Sequence, residues 1–246
     1  MTEQKPSISI FFPFLNDWGT VGSLVALSIA TVAKITDDWE IIIIDDGSKK
    51  EDREALELIV KTINSSSKLA RVRIIHHEVN RGYGGALRSG FAAATKDFIF
   101  YTDCDAQYDP RELVNLYAAM EKSTVLVNGY KIKRHDPMYR IFAGRLYHHF
   151  VKFIFRLPVR DTDCDFRLIS RRVFSKVKLL ESTGTICVEL VAKINHYYPG
   201  KIVEVPVHHF WRTSGKSQFF NFGRLAKTAI NLFKLWWKLM VKNAYG

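Results

Sequence analysis

The chain has 246 residues, 47% of them hydrophobic, so it is long enough for one α/β domain with a full core and too apolar for a disordered chain. It carries 36 Lys and Arg against 25 Asp and Glu, a net charge of +11. Residues 1–125 hold 14 basic and 18 acidic side chains, whereas residues 126–246 hold 22 and 7, which predicts a basic surface for a membrane, a nucleic acid or a phosphorylated substrate.

The first half of the sequence alternates between strand-like and helix-like segments. Apolar runs rich in β-branched residues predict strands at Ile8–Phe14, Trp39–Ser48, Val72–His77 and Asp97–Asp103. Helical spacing follows each strand, at Gly19–Ile35, Glu51–Ile63, Gly84–Ala94 and from Asp109 onward, where Asp109 is expected to cap the helix and Pro110 to occupy its first turn. The alternation predicts an α/β fold with a Rossmann-like, mostly parallel sheet flanked by helices.

Two pairs of aspartates stand at the ends of predicted strands. Asp45 and Asp46 follow the run of four isoleucines, and Asp103 and Asp105 follow "FIFYT". Ligands of such sheets bind at the carboxyl ends of the strands. Asp103 and Asp105 are two residues apart and face the same way in an extended chain. With Gln107 nearby they form a set of hard oxygen ligands, which predicts a Mg²⁺ or Mn²⁺ site.

A glycine-rich stretch, "NRGYGGALRSG", opens the helix after the third strand. It lacks the spacing of a P-loop and does not follow the first strand as a dinucleotide fingerprint does. One interpretation is a tight turn with close helix–sheet packing. The other is a close approach of the backbone to a nucleotide, with Arg88 on a phosphate. The sequence does not decide between them.

The second half is less regular, with a helix candidate at Met138–Leu157 and a strand candidate at Lys201–Phe210. Its last segment, Phe222–Lys242, predicts an amphipathic helix. All of its apolar residues except Leu235 lie within one broad arc of the helix. Five cations lie opposite the arc: Arg224, Lys227, Lys234, Lys238 and Lys242. We interpret this as a helix lying on a membrane surface, and packing on its own domain is the alternative.

Targeting features point to the cytoplasm. The three cysteines, Cys104, Cys164 and Cys187, fit no zinc or CxxC pattern and favour a reducing compartment. The sequence predicts neither a signal peptide nor a transmembrane helix. We expect a catalytic domain over residues 1–220 and a membrane-surface helix over residues 221–246, with peripheral attachment to the cytoplasmic face of a membrane.

Six motifs together resemble a known family: "SISIFFPFLND", "IIIIDDGSKKE", "NRGYGGALRSGF", "YTDCDAQYDP", "DTDCDFRLISRRVF" and "HHFWRTSGKSQ". Their order and spacing are similar to those of family 2 glycosyltransferases with the GT-A fold, the fold of nucleotide-diphospho-sugar transferases. The similarity is greatest to the polyprenyl-phosphate sugar transferases of the dolichol-phosphate mannose synthase type, and it runs from about Ser7 to Phe220.

The resemblance implies roles for individual residues. The residues implied at the nucleotide-sugar donor are Pro13, Asn16, Asp17, Asp45, Asp46, Gly84, Gly85, Arg88 and Asp103. Asp103, Asp105 and Gln107 are implied at the metal and diphosphate. Arg140, Arg212, Lys216 and Ser217 are implied at an acceptor phosphate, and Asp105, Arg212 and Lys216 in catalysis. His208 and His209 are further candidate metal ligands, and the role of the acidic cluster Asp161, Asp163 and Asp165 is open.

The resemblance implies an inverting, metal-dependent transfer of a sugar from a GDP- or UDP-sugar to a polyprenyl phosphate. A phosphate acceptor is largely dianionic at neutral pH and needs no general base. The alternative is a sugar or protein hydroxyl acceptor, for which Glu189 in "TICVEL" would be the base. Nucleic acid is not expected as a partner, because no RNA- or DNA-binding motif accompanies the basic charge.

Overall fold

The computed structural model describes residues 6–66, 71–132, 138–211 and 222–245. Strands and helices alternate along most of this part of the chain. The strands are β1 (Ser7–Phe14), β2 (Asp38–Asp45), β3 (Val72–His76), β4 (Phe98–Thr102), β5 (Leu126–Lys131), β6 (Phe166–Ser170) and β7 (Ile202–Val207). The helices are α1 (Trp18–Val32), α2 (Lys50–Ser66), α3 (Tyr83–Ala93), α4 (Leu113–Ala118), α5 (Met138–Phe155), α6 (Ile186–Tyr197) and α7 (Phe222–Trp236), which continues as a π-helical turn over Trp237–Val241.

The strands of the described residues form one sheet in the order β3-β2-β1-β4-β6-β5-β7. Neighbours pair in parallel except at β6, which runs antiparallel to both β4 and β5. In the β4–β6 register Thr102 lies opposite Phe166. The end of β4 and the beginning of β6 therefore lie at the same edge of the sheet.

The apolar strands are continuous because both faces of the sheet are covered by helices. Side chains alternate between the two faces along β1, so that Phe11 belongs to the core cluster that includes buried residues of α3, α5, α6 and α7, whereas Ile10 and Phe12 belong to the cluster that includes those of α1, α2 and α4. Along β2, Ile42 and Ile44 join the first group, and Ile41 and Ile43 join the second. This sandwich fixes the strand ends on which the aspartates stand.

The predicted start of the fourth helix is confirmed. The Asp109 carboxylate accepts a hydrogen bond from the Arg111 backbone N–H at 2.9 Å, and Pro110 begins a 3₁₀ turn that leads into α4. Proline suits this position because its missing N–H would have no partner in the first turn. Asp109 therefore caps a helix and takes no part in the acidic pair before it.

The C-terminal helix α7 packs on the domain with part of its apolar arc. Leu232, Leu235 and Leu239 are buried in the core beside α5 and α6, and the indole N–H of Trp236 donates to the carbonyl of Ile154 on α5 at 3.2 Å. Leu235, which lies outside the arc predicted for Phe222–Lys242, is thus at the centre of the packed face. This packing agrees with the alternative interpretation, a helix packed on its own domain, whereas contact with a membrane surface and the division at residue 220 stay predictions.

Candidate active site

The strand-end aspartates meet at one edge of the sheet, as the sequence predicts. Asp45 ends β2, and the backbone N–H of Asp46 donates to the Phe14 carbonyl at the end of β1 at 2.9 Å. Asp103 follows the end of β4, which pairs with β1. Three adjacent parallel strands therefore bring both acidic pairs to the edge where ligands of such sheets bind.

Asp45 is fully buried and bound to protein groups. Its carboxylate accepts from the Ser48 backbone N–H at 2.9 Å, contacts Nδ1 of His76 at 2.8 Å and pairs with Nε of Arg53 at 3.0 Å. Burial alone raises the pKa of Asp45, but the bonds from Ser48 and His76 and the charge of Arg53 outweigh it and leave the pKa below its ordinary value. These contacts fix the turn that follows β2.

Asp46 is held by a chain of polar groups, of which His77 is buried. One carboxylate oxygen contacts Nδ1 of His77 at 2.7 Å and accepts from the Arg81 backbone N–H at 2.8 Å. Nε2 of the same histidine lies 2.8 Å from the Ser89 hydroxyl on α3. Ser89 and His77 thus set the orientation of Asp46 and connect it to the glycine-rich helix.

The Asp103–Gln107 turn is tied to two other parts of the chain. The Tyr83 hydroxyl donates to Asp103 at 2.8 Å, and the Asp105 carboxylate, on a residue only 6% exposed, accepts from the Gln107 backbone N–H at 3.1 Å. Gln107 also exchanges hydrogen bonds with the backbone of Phe210, at 2.8 and 3.2 Å. The segment after β7 is therefore fastened beside the aspartates.

The oxygen atoms at the Asp103–Gln107 turn are suitable ligands for a hard divalent cation. The two carboxylates and the Gln107 amide offer oxygen atoms, which Mg²⁺ and Mn²⁺ prefer. Within the described residues no three His, Cys, Asp or Glu side chains converge as a metal site. The protein groups therefore fit a cation that takes its remaining ligands from a substrate diphosphate or water.

The other candidate residues of the donor pocket line the same edge. Pro13 is buried in β1, and Asp17 precedes α1. Asn16 has a positive φ of 56° and binds the turn after β2 through Ser48 and the Lys49 backbone N–H, at 3.0 and 2.9 Å. The loop after β1 is thereby joined to the loop after β2.

The glycine-rich turn packs against the chain before α6. Gly82 has a φ of 78°, and a Cβ on Gly84 would lie 2.5 Å from the carbonyl oxygen of Glu181. Gly85 faces the side chain of Arg81, which a Cβ would meet at 2.5 Å. The Arg88 guanidinium donates to the Leu180 carbonyl at 3.2 Å. Close packing therefore requires Gly84, in agreement with the first of the two interpretations, and contact of this turn with a nucleotide stays a prediction.

The candidate residues for an acceptor phosphate have no described side chains. Arg212, Lys216 and Ser217 lie outside the described residues, and for Arg140 the structure gives only the backbone of α5. Of the two histidines before them, His208 is bound to Glu112 through Nδ1 at 2.6 Å, whereas His209 is buried against the ring of Tyr108. His208 is therefore directed toward a partner on the segment before α4.

Asp165, whose role the sequence leaves open, belongs to this edge. Thr102 pairs with Phe166 in the β4–β6 register. Because Asp103 directly follows Thr102 and Asp165 directly precedes Phe166, the two aspartates lie across from each other. Its carboxylate accepts from the Cys187 thiol at 3.0 Å and the Tyr101 hydroxyl at 3.3 Å. Burial, followed by the charges of Asp103 and Asp165, raises the pKa of Tyr83 well above its ordinary value. The sequence signal for Asp165 is the run "FRLIS" directly after "DTDCD": if this run is a strand antiparallel to β4, its first residue lies at the same edge as Asp103.

The rest of the acidic cluster points elsewhere. Asp161 is buried and lies 3.8 Å from the Lys131 ammonium, which also donates to the Asp163 carbonyl at 2.7 Å. Asp161 and Asp163 thus fasten the segment before β6 to the end of β5. Only Asp165 of the three stands opposite the Asp103 turn.

Glu189, the candidate base for a hydroxyl acceptor, is fully buried in α6. Its carboxylate accepts from the backbone N–H groups of Leu180 and Glu181 at 2.9–3.1 Å and pairs with the buried Lys193 ammonium at 3.1 Å. A carboxylate held in this way is not presented to a substrate. The structure therefore gives Glu189 a role in holding the loop that covers the glycine-rich turn.

Burial also disfavours the thiolate form of the three cysteines. All are free thiols with buried side chains. Burial raises the pKa of Cys164 to about 12 and those of Cys104 and Cys187 well above the ordinary value for a thiol.

Sequence comparisons identify relatives over most of the chain. The family model described as Glycosyl transferase family 2 matches residues 9–178. The undecaprenyl-phosphate 4-deoxy-4-formamido-L-arabinose transferase of Enterobacter sp. (strain 638) is 26% identical over 227 residues, which cover 92% of this chain and 66% of the relative. The protein of the same name from Salmonella enteritidis PT4 is 27% identical with the same coverage. The chain therefore spans slightly less than two thirds of these relatives.

Solved structures match the fold. Glucosyl-3-phosphoglycerate synthase from Mycobacterium tuberculosis in complex with phosphoglyceric acid superposes with a TM-score of 0.69 at 17% identity, covering 95% of this chain and 79% of that one. Its complex with Mn²⁺, UDP and glucosyl-3-phosphoglycerate gives 0.67 at 16% identity with the same coverage. At such identities the likeness concerns the fold alone. Because the family model matches more than half of the chain, the chain belongs to glycosyl transferase family 2, and its mostly parallel sheet is the GT-A fold expected from the sequence.

Proposed function

We propose that this protein transfers a sugar from a nucleoside diphosphate sugar to a polyprenyl phosphate at a membrane surface. The position of Asp103 and Asp105 at the carboxyl edge of three adjacent parallel strands carries the proposal, since two carboxylates there offer a cation site for a diphosphate. Family membership and the undecaprenyl-phosphate transferases among the relatives support it. Both UDP- and GDP-sugars remain candidate donors, and the UDP in a solved structure of like fold makes UDP the first to test.

The reaction is a single displacement at the anomeric carbon. An oxygen of the acceptor phosphate forms the new bond to this carbon while the bond to the nucleoside diphosphate breaks, and the electron pair leaves with the diphosphate. The configuration at the carbon is inverted. The acceptor phosphate has its second pKa near 6, so it is a nucleophile at pH 7 without a protein base.

The protein groups orient the two substrates. Tyr83 holds Asp103 from one side, and the Gln107 backbone holds Asp105, so that both carboxylates are fixed before the donor binds. A Mg²⁺ or Mn²⁺ ion bound there would supply positive charge to the departing diphosphate. Arg140, Arg212, Lys216 and Ser217 are the residues we assign to the acceptor phosphate.

The proposal includes binding of the protein to a membrane surface. The acceptor is a lipid, and α7 exposes apolar side chains beside lysines. Within the described residues no helix is both long enough and apolar enough to cross a bilayer. We place the protein peripherally, on the cytoplasmic face of a membrane.

The decisive experiment measures donor turnover with polyprenyl phosphate and Mn²⁺ in the Asp105→Asn variant. Loss of one carboxylate charge at the diphosphate should lower turnover by about 100-fold or more. Asp52→Asn on α2 is the matched control and should keep wild-type turnover. Near-normal turnover of Asp105→Asn would remove Asp105 from the reaction.

A hydroxyl acceptor is the competing proposal, and a comparison of acceptors separates the two. The burial of Glu189 argues against it, because its carboxylate is committed to Lys193 and to backbone N–H groups. We expect sugar transfer to polyprenyl phosphate and none to free sugars or peptides. Transfer to a hydroxyl acceptor with polyprenyl phosphate inert would overturn the lipid proposal.

A further inference from the structure

Helix α7 exposes a narrow apolar stripe. Ile230, Phe233, Trp237 and Val241 are between 44 and 61% exposed, although the opposite flank of the same arc is buried in the core. The rings of Phe233 and Trp237 lie 6.5 Å apart, with Trp236 beside both. Because α7 packs on the domain, only the exposed flank of its apolar arc is available to contact another surface.

Helix α5 exposes a second apolar stripe at helical spacing. Leu146, Phe150 and Phe153 are 58–82% exposed, and the intervals of four and three residues place them on one face. Val151 and Phe155 of the same helix are buried in the core. Burial of the other face leaves the exposed stripe without a structural role within the described residues.

The two helices that carry the stripes contact each other. Trp236 of α7 donates its indole N–H to the carbonyl of Ile154, the neighbour of Phe153. Phe153, Trp236 and Met240 line one groove of about 1030 Å³. Trp236, whose ring lies 6.4 Å from that of Trp237 in the α7 stripe, therefore shares this groove with Phe153 of the α5 stripe.

The charge around the stripes is of one sign. No acidic residue occurs between Asp136 and Asp161, which enclose α5, or after Glu204. Lys152 and Arg156 line the groove between the helices, and Lys234 and Lys238 lie next to the α7 stripe along the chain. An apolar surface with cations and no anions on its own helices matches an anionic lipid bilayer.

We propose that α5 and α7 together form one membrane-docking surface, with the stripe of α5 inserted beside that of α7 into an anionic bilayer. The proposal rests on the proposed function, since it identifies the surface by which the enzyme meets its lipid. It adds α5 to the expected membrane contact and limits the contribution of α7 to the exposed stripe.

Vesicle cosedimentation of the full chain tests the α5 stripe directly. Vesicles of phosphatidylcholine and phosphatidylglycerol are compared for wild type, Phe150→Ser/Phe153→Ser on α5 and Phe233→Ser/Trp237→Ser on α7. Each pair should lower the partition coefficient by about tenfold or more, because two large apolar side chains no longer enter the bilayer. Leu58→Ser/Val79→Ser is the matched control, because these residues are 65 and 69% exposed away from both helices, and it should bind like wild type.

A labelled variant tests the same contact without removing the stripe. Phe153→Cys is modified with a polarity-sensitive dye, which the three buried native thiols resist. Addition of the anionic vesicles should shift its emission to the blue, whereas the same dye on Leu58→Cys should not shift. An unshifted dye at position 153, or wild-type vesicle binding by the α5 pair, overturns the proposal.

Two further measurements separate this inference from other outcomes. Sedimentation velocity shows whether the α5 pair changes self-association, and a lost dimer with unchanged vesicle binding would assign the stripe to a second copy of the chain. Sugar transfer to a short-chain polyprenyl phosphate in detergent should persist in the α5 pair. Absence of this transfer in the wild type contradicts the proposed function, whereas the vesicle results still decide the docking surface.

Discussion

Asp45 illustrates how a residue expected at a ligand can serve the fold. The sequence places it correctly at the end of β2, but its bonds to Ser48, Arg53 and His76 are made by side chains and turns that no strand pattern specifies. Asp46 beside it depends in the same way on His77. The position of Asp45 can be predicted from the sequence because strand ends follow from local pattern, whereas its partners depend on the conformation of the turn after β2 and on the pairing of β2 with β3.

The buried contacts of Asp45 predict a pH dependence of stability. Its pKa is lowered below the ordinary 3.8, so its stabilising contribution is present above that value and is lost as pH falls through the folded-state pKa. Asp45→Asn should lower the free energy of unfolding at pH 7 by about 1–3 kcal/mol and flatten its decline below about pH 4. Urea denaturation at several pH values measures both effects. Asp52→Asn serves as control, and an unchanged pH profile in Asp45→Asn would contradict the assignment.

At the scale of elements, the predictions for the first half of the chain are confirmed, as are α5, β7 and the helical segment of α7 in the second half, whereas β5, β6 and α6 are not predicted. The strands β1 to β4 and helices α1 to α3 lie within a few residues of the predicted ranges. β6 was not predicted because "FRLIS" contains an arginine, which normally marks an exposed position. Arg167 is nevertheless fully buried, since Tyr101, Asn128 and the Thr162 carbonyl accept its hydrogen bonds.

Helix α6 is not predicted because its sequence is short and mostly apolar. The run "ICVELVAKI" does not distinguish a buried helix from a buried strand, and its residues from Ile186 to Ile194 are all buried. Its two charged members, Glu189 and Lys193, pair with each other inside the protein, although residues spaced by four would normally form an exposed polar face.

The glycine-rich helix α3 gives a prediction at this scale. A Cβ on Gly84 would lie 2.5–2.8 Å from backbone atoms of Glu181 and Ser182, which cannot move as a flexible side chain can. Gly84→Ala should therefore cost about 1–3 kcal/mol of stability and displace the loop before α6. Gly19→Ala on α1 is the matched control, because a Cβ there meets nothing within 4 Å. Equal thermal unfolding midpoints for the two variants would show that the turn is not tightly packed.

At the scale of the whole molecule, the basic half of the sequence includes two helices without acidic residues. The excess of 22 basic over 7 acidic residues after residue 125 includes the acid-free helices α5 and α7. The sequence predicts α7 as a membrane-surface element, and our proposal adds α5 because its exposed face and its contact with Trp236 are visible only in the folded chain. Contiguity between helices distant in sequence is a property of the folded chain.

This arrangement predicts a partial salt dependence of vesicle binding. Raising the ionic strength from about 0.1 to about 1 M shortens the screening length from ~10 to ~3 Å, so the attraction of the lysines to anionic lipid should weaken several-fold. The apolar stripes are insensitive to screening and should retain measurable binding. Cosedimentation across a salt series checks this, with neutral vesicles as control. Complete loss of binding at high salt would reduce the contact to electrostatics alone.

Because β6 runs antiparallel to its neighbours, the arrangement at the sheet edge that carries Asp103 depends on the number of residues just before β6. Thr102 lies opposite Phe166, so Asp103 and Asp165 face each other across a boundary between two strands that arrive from opposite directions. Side chains alternate with a period of two along a strand. Deletion of Asp165 alone would move Cys164 into the position across from Asp103 without altering either strand, which makes the length of the segment before β6, as much as its composition, a determinant of the chemistry at that edge.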